Sequence, residues 1–421
     1  MLDAMLDCIG EQGYAPTVVA DVIGRATASR KTFYEQFEDR DACFMALSEQ
    51  IGADWSRRVN AACAAAKDGD GDVISALVAE LLALGCESPA ALRLVTVELA
   101  AAGAAGVARR KQLLDRLAEP LVEELDDRPS SLLLTQAVIG AILRVLYARA
   151  RRGAGVRRPR RPVVAELSAA LSGWASCYAQ WQELPDTDME ENAEPREPPI
   201  GGRAPGTLSL SAGTVERRGL PRGEGNVSRS FVVHSQRERI LDALANLGAA
   251  QSYAATTIPD IVREAAVSVQ AFYEHFSGKE DALLVAYEIG HRKALAIVER
   301  AYQAHEPWQA AVQAAVTTLL EFLASEPAYA HLALIDAPAT GAKAAAIAHD
   351  GLIAYSAMLE PGIGPDADSA PWRTVAAEAT ASAVLELCFV YVSSERAREL
   401  VGVRDLACEV ALRPFASLSV G

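Results

Sequence analysis

The sequence predicts an all-α protein made of two repeated units, and three observations carry that reading. Hydrophobic residues form 51% of the chain with Ala prominent among them, whereas β-branched runs alternating with period two are scarce, which favours helices over strands. The stretch Phe33-Tyr34-Glu35-Gln36-Phe37 returns as Phe272-Tyr273-Glu274-His275-Phe276, and the flanking residues keep the same 239-residue offset without a gap. Leu2-Asp3-Ala4 matches Leu241-Asp242-Ala243, Tyr14-Ala15 matches Tyr253-Ala254, and Thr17, Asp21, Ala26 and Ser29 match Thr256, Asp260, Ala265 and Ser268. Farther on, Pro89-Ala90, Leu94 and Gly103 match Pro327-Ala328, Leu332 and Gly341 at an offset of 238. A repeat of fixed period is read before any single motif inside it.

The first helix of each unit is amphipathic. In the second copy Ile240, Leu241, Leu244 and Leu247 recur at helical spacing, which lays one apolar stripe against a core. Met1 corresponds to Ile240, so the first copy begins about a turn short of the polar lead-in Gln236 to Arg239. The second helix is brief, with Val19, Val22, Ile23 and Ile258, Ile261, Val262 as its apolar positions, and Thr17 or Thr256 offers a hydroxyl able to cap it. A tight turn follows, Ala26-Thr27-Ala28-Ser29 and Ala265-Ala266-Val267-Ser268. Ser29 and Ser268 close it as caps for a third helix. In that helix Phe33 with Phe37, and Phe272 with Phe276, stand four residues apart, so their rings face the core while the first turn and Tyr34 or Tyr273 project outward. Two short helices around a tight turn make a helix-turn-helix.

Between the units, residues 184–233 break helical periodicity with Pro185, Pro195, Pro198, Pro199, Pro205 and Pro221, and read as a disordered linker. About 45 residues of random coil span about 35–40 Å. The two units can therefore sit side by side.

Composition limits the partners. A net charge of −15 and a pI near 5.0 argue against broad polyanion binding, which draws its affinity from clustered cations. Any nucleic-acid surface must be local. Seven cysteines without a CxxC pair, and no N-terminal apolar leader, fit a reducing cytoplasm. The apolar run Leu132 to Leu143, interrupted by Gln136 and closed by Arg144, suits a buried helix better than a bilayer span, so no membrane association is expected. The six histidines fall at no metal-ligand spacing, and there is no Gly-rich phosphate loop and no GxSxG. Neither a metal, a cofactor nor an enzymatic activity is expected.

The two recognition regions resemble the TetR family of transcriptional regulators, whose motif reads roughly T-x-x-x-I-A-x-x-A-G-V-S-x-x-T-F-Y-x-H-F-x-x-K-E. Copy one supplies Thr17, Asp21, Ala26, Ser29, Thr32-Phe33-Tyr34, Phe37 and Arg40-Asp41; copy two supplies Thr256-Thr257, Asp260-Ile261, Ala265, Val267-Ser268, Phe272-Tyr273, His275-Phe276 and Lys279-Glu280. The resemblance implies a helix-turn-helix DNA-binding domain at 1–47 and again at 234–287, each followed by a helical effector and dimerisation domain, at 48–183 and 288–421. It further implies contacts to double-stranded operator DNA. Ser29, Arg30, Lys31 and Thr32 occupy the exposed first turn, where cations and hydroxyls meet base edges and phosphates. Thr17, Tyr34, Gln36 and Arg40 complete the set, with Gln36 in place of the family His. In copy two the corresponding contacts are Thr256, Thr257, Ser268, Gln270, Tyr273, His275 and Lys279, and no cation stands on the first turn.

Ordinary members are homodimers, so two fused units imply pairing within one chain, a single-chain pseudodimer. The difference between Arg30-Lys31-Thr32 and Val269-Gln270-Ala271 implies an asymmetric operator. Repression released by a small apolar effector is the family's usual mode; the C-terminal aromatics Tyr147, Trp174, Tyr178, Trp181, Trp308, Phe322, Tyr329, His331, Tyr355, Trp372 and Phe389 read mostly as core, and the sequence does not single out which of them line the effector pocket. The competing reading is a ligand-sensing or scaffolding helical protein that has lost DNA binding, motivated by the negative charge and the cation-poor second recognition helix. One departure has a structural consequence: the family turn carries Gly where Thr27 and Ala266 stand. Left-handed backbone costs a non-Gly residue on the order of 1 kcal/mol, so either the turn adjusts or these residues take a positive φ.

Overall fold

Three short helices start the chain: α1 (Leu2–Gln12), α2 (Val19–Arg25) and α3 (Arg30–Gln36). Met5, Ile9, Val22 and Phe33 are completely buried among them, the outcome of apolar residues placed at helical spacing. The computed structural model describes residues 1–122, 129–152, 161–179, 229–363 and 372–416, and among the described residues every regular element is helical. The head runs directly into α4 (Arg40–Asp68), capped by Asp39, whose carboxylate accepts the Ala42 N–H at 2.7 Å. α5 (Val73–Glu87) follows, capped by Asp72. Ser88 then caps α6 (Pro89–Arg93), with Pro89 in its first turn, where a missing N–H costs nothing. α6 passes through a π-helical turn at Leu94–Glu98 into α7 (Leu99–Ala101), and α8 (Gly103–Val122), α9 (Pro129–Arg152) and α10 (Arg161–Ala179) complete this half.

The same order recurs. It comprises α11 (Arg229–Gln251), α12 (Ile258–Glu264), α13 (Val269–His275), the long α14 (Lys279–Gln303), α15 (Trp308–Ser325) and α16 (Pro327–His331). A π-helical turn at Leu332–Asp336 follows α16 as another follows α6, and then come α17 (Ala342–Leu359), α18 (Trp372–Ser393) and α19 (Arg404–Ala416). π turns are rare and gather at functional sites. The expected linker lies outside the described residues up to 228, as does Trp181, while its last residues, from Arg229, belong to α11.

The two halves meet through their last helices. α18 packs along α9 and α10, and α10 also packs on α19. Alanines at 376, 377, 379 and 383 are buried on α18, and small side chains permit close axial approach. Polar contacts cross the same face: Trp174 Nε1 donates to Thr380 Oγ1 at 2.9 Å, Tyr178 donates to the Val410 carbonyl at 2.9 Å, and Arg149 pairs with Glu378 at 2.9 Å. At its centre Arg110 Nη2 donates to both Glu386 oxygens at 2.9 and 3.1 Å, and Arg144 binds the same carboxylate. Gly140 makes room for it, since a Cβ there would stand 2.6 Å from Glu386 Oε2.

Ser131–Arg151 and Thr374–Ser393 are long and apolar enough, by length and composition, to cross a membrane. The apolar helix thus extends well beyond Leu132 to Leu143, which corrects the expectation drawn from the shortness of that run. Burial of 78% and 89% of these windows against the rest of the protein accounts for their apolar character.

Candidate nucleic-acid interface

Each helix-turn-helix is built by the same local chemistry. In the turn, Thr27 takes φ 51° and Ala266 φ 49°, so the backbone keeps the left-handed geometry and the non-Gly residues bear its cost, on the order of 1 kcal/mol each. Ala28 N–H then reaches the Ile23 carbonyl, and Val267 N–H the Val262 carbonyl, both at 3.0 Å. Ser29 Oγ accepts the Thr32 N–H and Ser268 Oγ the Ala271 N–H, again both at 3.0 Å. These caps start α3 and α13 as expected of Ser at that point. Phe33 and Phe272 are wholly buried, and each carries Tyr34 or Tyr273 edge-on, with ring centroids 5.4 and 5.5 Å apart.

The outward face is therefore defined. Tyr34 and Tyr273 are both 56% exposed, and Arg30, Lys31, Thr32 and Gln36 are exposed on α3. Lys31 lies 3.8 Å from Glu35, a solvent-screened pair that costs little to exchange for a phosphate. On α13 the exposed first turn presents Val269 and Gln270, the latter donating to Glu274 at 3.1 Å. Val269 occupies the position of Arg30.

Other expected contacts turn inward. Thr17 and Thr256 are buried and cap nothing. Their hydroxyls donate to the Gly13 and Ser252 carbonyls at 2.6 and 2.8 Å and accept from Gln12 and Gln251. The cap of α2 is Val18, whose N–H reaches Asp21 at 2.9 Å, and that of α12 is Thr257, exposed, with its hydroxyl accepting the Asp260 N–H at 3.4 Å. Arg40 donates to the Thr17 carbonyl at 3.1 Å and stacks 4.3 Å over the Tyr14 ring. Lys279 does the same work in the second head, donating to the Tyr253 and Thr256 carbonyls at 2.8 Å each, 4.2 Å over Tyr253. Burial holds its ammonium below the usual lysine range. Both cations staple the loop before α2 or α12 to the start of the next long helix. His275 is half-buried with Nε2 sealed from solvent and without a hydrogen-bond partner among the described residues, and burial, aided by Arg237, lowers its pKa. The repeated Tyr14 and Tyr253 were the available signal for the staple, because an aromatic ring kept opposite a kept cation marks a stacking pair.

The first head is tied to the π-helical turn of its body by a hydrogen bond, and in the second half α11 packs against the π turn at Leu332–Asp336. Glu98 accepts the Tyr14 backbone N–H at 3.0 Å and pairs with Arg93 at 2.7 Å; in the second half His331 and Asp336, the corresponding residues, stand 3.2 Å apart. The residues just before Glu98 and Asp336 line a cavity of about 340 Å³ at the junction of the halves. Thr96, Val97, Arg144 and Tyr147 come from one side, and Tyr287, His291, Tyr329, Leu334, Tyr355 and Phe389 from the other.

No curated protein shows significant similarity to the chain. Residues 240–286 match the family model described as bacterial regulatory proteins, tetR family. That span holds the latter part of α11, all of α12 and α13 and the beginning of α14, so the match supports a DNA-binding helix-turn-helix of the tetR kind in the head of the second half.

Proposed function

We propose that the chain is a repressor that reads an asymmetric operator with two unequal heads, acting by binding rather than catalysis in the bacterial cytoplasm. In this reading residues 1–183 and 234–421 are two TetR-like units paired as a pseudodimer. The observation that carries it is the packing of α9 and α10 on α18 and α19 around Glu386, with two arginines of the other half, the buried Arg110 and the half-buried Arg144, on that carboxylate. A helix-turn-helix dimer needs its recognition helices about 34–36 Å apart, and such an interface is what could hold two heads at a set spacing. Light scattering should report one chain's mass, and the full chain should shift its own upstream intergenic DNA in a gel, more weakly as salt rises. A stable dimer of chains would remove the pseudodimer.

The placement of the cavity supports release by a small molecule. The cavity walls include Thr96 and Val97 beside Glu98, and Leu334 and Ile335 beside Asp336, so an occupant that shifts either π turn moves the anchor of a head. Coupling of this kind is reciprocal: DNA must weaken ligand binding by the factor with which ligand weakens DNA binding.

A second reading, a ligand sensor without DNA binding, draws support from the inward turn of Arg40 and Lys279 and from the absence of a cation on the first turn of α13. Absence of any shift at low salt would favour it.

A further inference from the structure

We infer that the cavity takes an apolar monoanion, a single carboxylate on a hydrocarbon or aromatic body, one per chain, with its charge at Arg144. The cavity itself and its ligand chemistry stand on the geometry; only the link to DNA release rests on the proposed function above.

The lining is mostly apolar and contains two arginines, Arg144 and Arg151, but no Asp or Glu. The carboxylate that Arg144 holds is already shared. Glu386 serves both Arg110 and Arg144, and Arg110 and Glu386 are each 1% exposed. Two guanidiniums on one buried carboxylate leave one positive charge without a counter-ion, and Arg144, 22% exposed, is the member that lines the cavity. Burying an uncompensated charge is costly. A ligand carboxylate would supply the missing charge through charge-assisted hydrogen bonds.

The cavity also holds unspent donors. Tyr287 and Tyr329 are buried to 4% and 2% exposure, and with the half-buried Tyr355 they line the cavity without a hydrogen bond to any described residue. Phenolic hydroxyls left so are satisfied by an occupant with acceptor oxygens. Space for the Tyr329 ring is made by Gly290, where a Cβ would stand 2.1 Å from it.

The corresponding positions of the first half carry different side chains. By the repeat offset, Gly290, Ala294 and Tyr329 correspond to Ile51, Trp55 and Ala91, all buried. A buried Trp55 thus stands, by the repeat, where the second half has the small Ala294. One site per chain follows.

The full chain, titrated by calorimetry with straight-chain carboxylates from hexanoate to dodecanoate and with the matching primary alcohols, tests this. At least one carboxylate should bind with one site per chain, at least tenfold more tightly than its alcohol. Arg144→Gln should erase that preference. Because Arg144 also serves the helix interface, Tyr329→Phe gives the independent arm: it should weaken the carboxylate about tenfold, the loss of one hydrogen bond to a charged group. Alcohols binding as tightly as their acids, two sites per chain, or no carboxylate binding would each overturn the proposal. The same ligands added to gel shifts, on DNA selected from a random pool by the full chain, separate the two readings. Carboxylates that bind without releasing DNA keep the anion site and remove the effector role; alcohols that release DNA where acids do not keep the effector role and remove the anion.

Discussion

Glu98 accepts the backbone N–H of Tyr14 at 3.0 Å across 84 residues of sequence. Arg93 holds the same carboxylate at 2.7 Å, so the loop between α1 and α2 is fastened to the π turn that borders the cavity.

Removing that acceptor should loosen the head before it unfolds the body. Glu98→Ala leaves a buried N–H unsatisfied and Arg93 without its ion partner, at about 1–3 kcal/mol. Hydrogen exchange at the Tyr14 amide should accelerate by the corresponding factor. Unchanged exchange would mean that the contact does not form in solution.

At the junction of the halves, Glu386 gives a pH signature. Burial pushes its pKa up, but Arg110 and Arg144 outweigh this and hold it below the ordinary 4.5. A depressed carboxylate contributes stability that is complete above the unfolded value and is lost as pH falls through the folded one. Association of the halves should thus be independent of this group above about pH 5 and weaken in more acid solution. Glu386→Gln should destabilise the chain by about 3–5 kcal/mol and remove that acid limb. Arg110→Met with Glu386→Leu should cost less than Glu386→Gln, since a buried charge is then no longer abandoned. Urea unfolding against pH checks both.

How much of this was legible follows from the range of the forces involved. The Ser29 and Ser268 caps, the buried Phe33 and Phe272 and the outward Tyr34 and Tyr273 depend on residues within one or two turns, and periodicity places them. Thr17 and Thr256 misled because a Thr before a helix has two local options, capping forward or bonding back to the carbonyl four residues earlier, and the second prevails here. The contacts of Arg40 and Lys279 were hidden for another reason: their acceptors, the Thr17 and Thr256 carbonyls, lie 23 residues away. The Arg110, Arg144 and Glu386 cluster joins residues more than 240 apart, where neither spacing nor composition carries a signal. The apolar run inside α9 was visible, but neither the apolar α18 nor the packing of the two helices on each other.

The turn of each head can be improved by one residue. Thr27→Gly and Ala266→Gly relieve left-handed strain worth about 1–2 kcal/mol while adding unfolded-chain entropy of about 0.4–1 kcal/mol. A net gain of up to about 1 kcal/mol in head stability is expected in thermal melts. A loss in both would show that the turn does not hold φ near +50° in solution.

The last prediction separates cations that reach DNA from cations that hold the head together. Arg30 and Lys31 are exposed on the first turn of α3, so replacing both with Ala should flatten the salt dependence of DNA binding, by about 0.9 in the log–log slope for each phosphate no longer neutralised, with little change in melting temperature. Arg40→Ala and Lys279→Ala should do the opposite. Each removes two hydrogen bonds to loop carbonyls and the packing of a cation on a ring, and should lower the melting temperature of the head while leaving the slope nearly intact. Val269→Ala and Gln270→Ala, on the cation-free first turn of α13, should change base preference at one half-site only, since an apolar side chain meets thymine methyls and an amide reads adenine. Binding isotherms at several salt concentrations on symmetrised and native half-sites resolve these effects. If Arg40→Ala flattened the slope as much as the change at Arg30 and Lys31, its guanidinium would have to swing out from Tyr14 on DNA, and the staple would be a feature of the free protein alone.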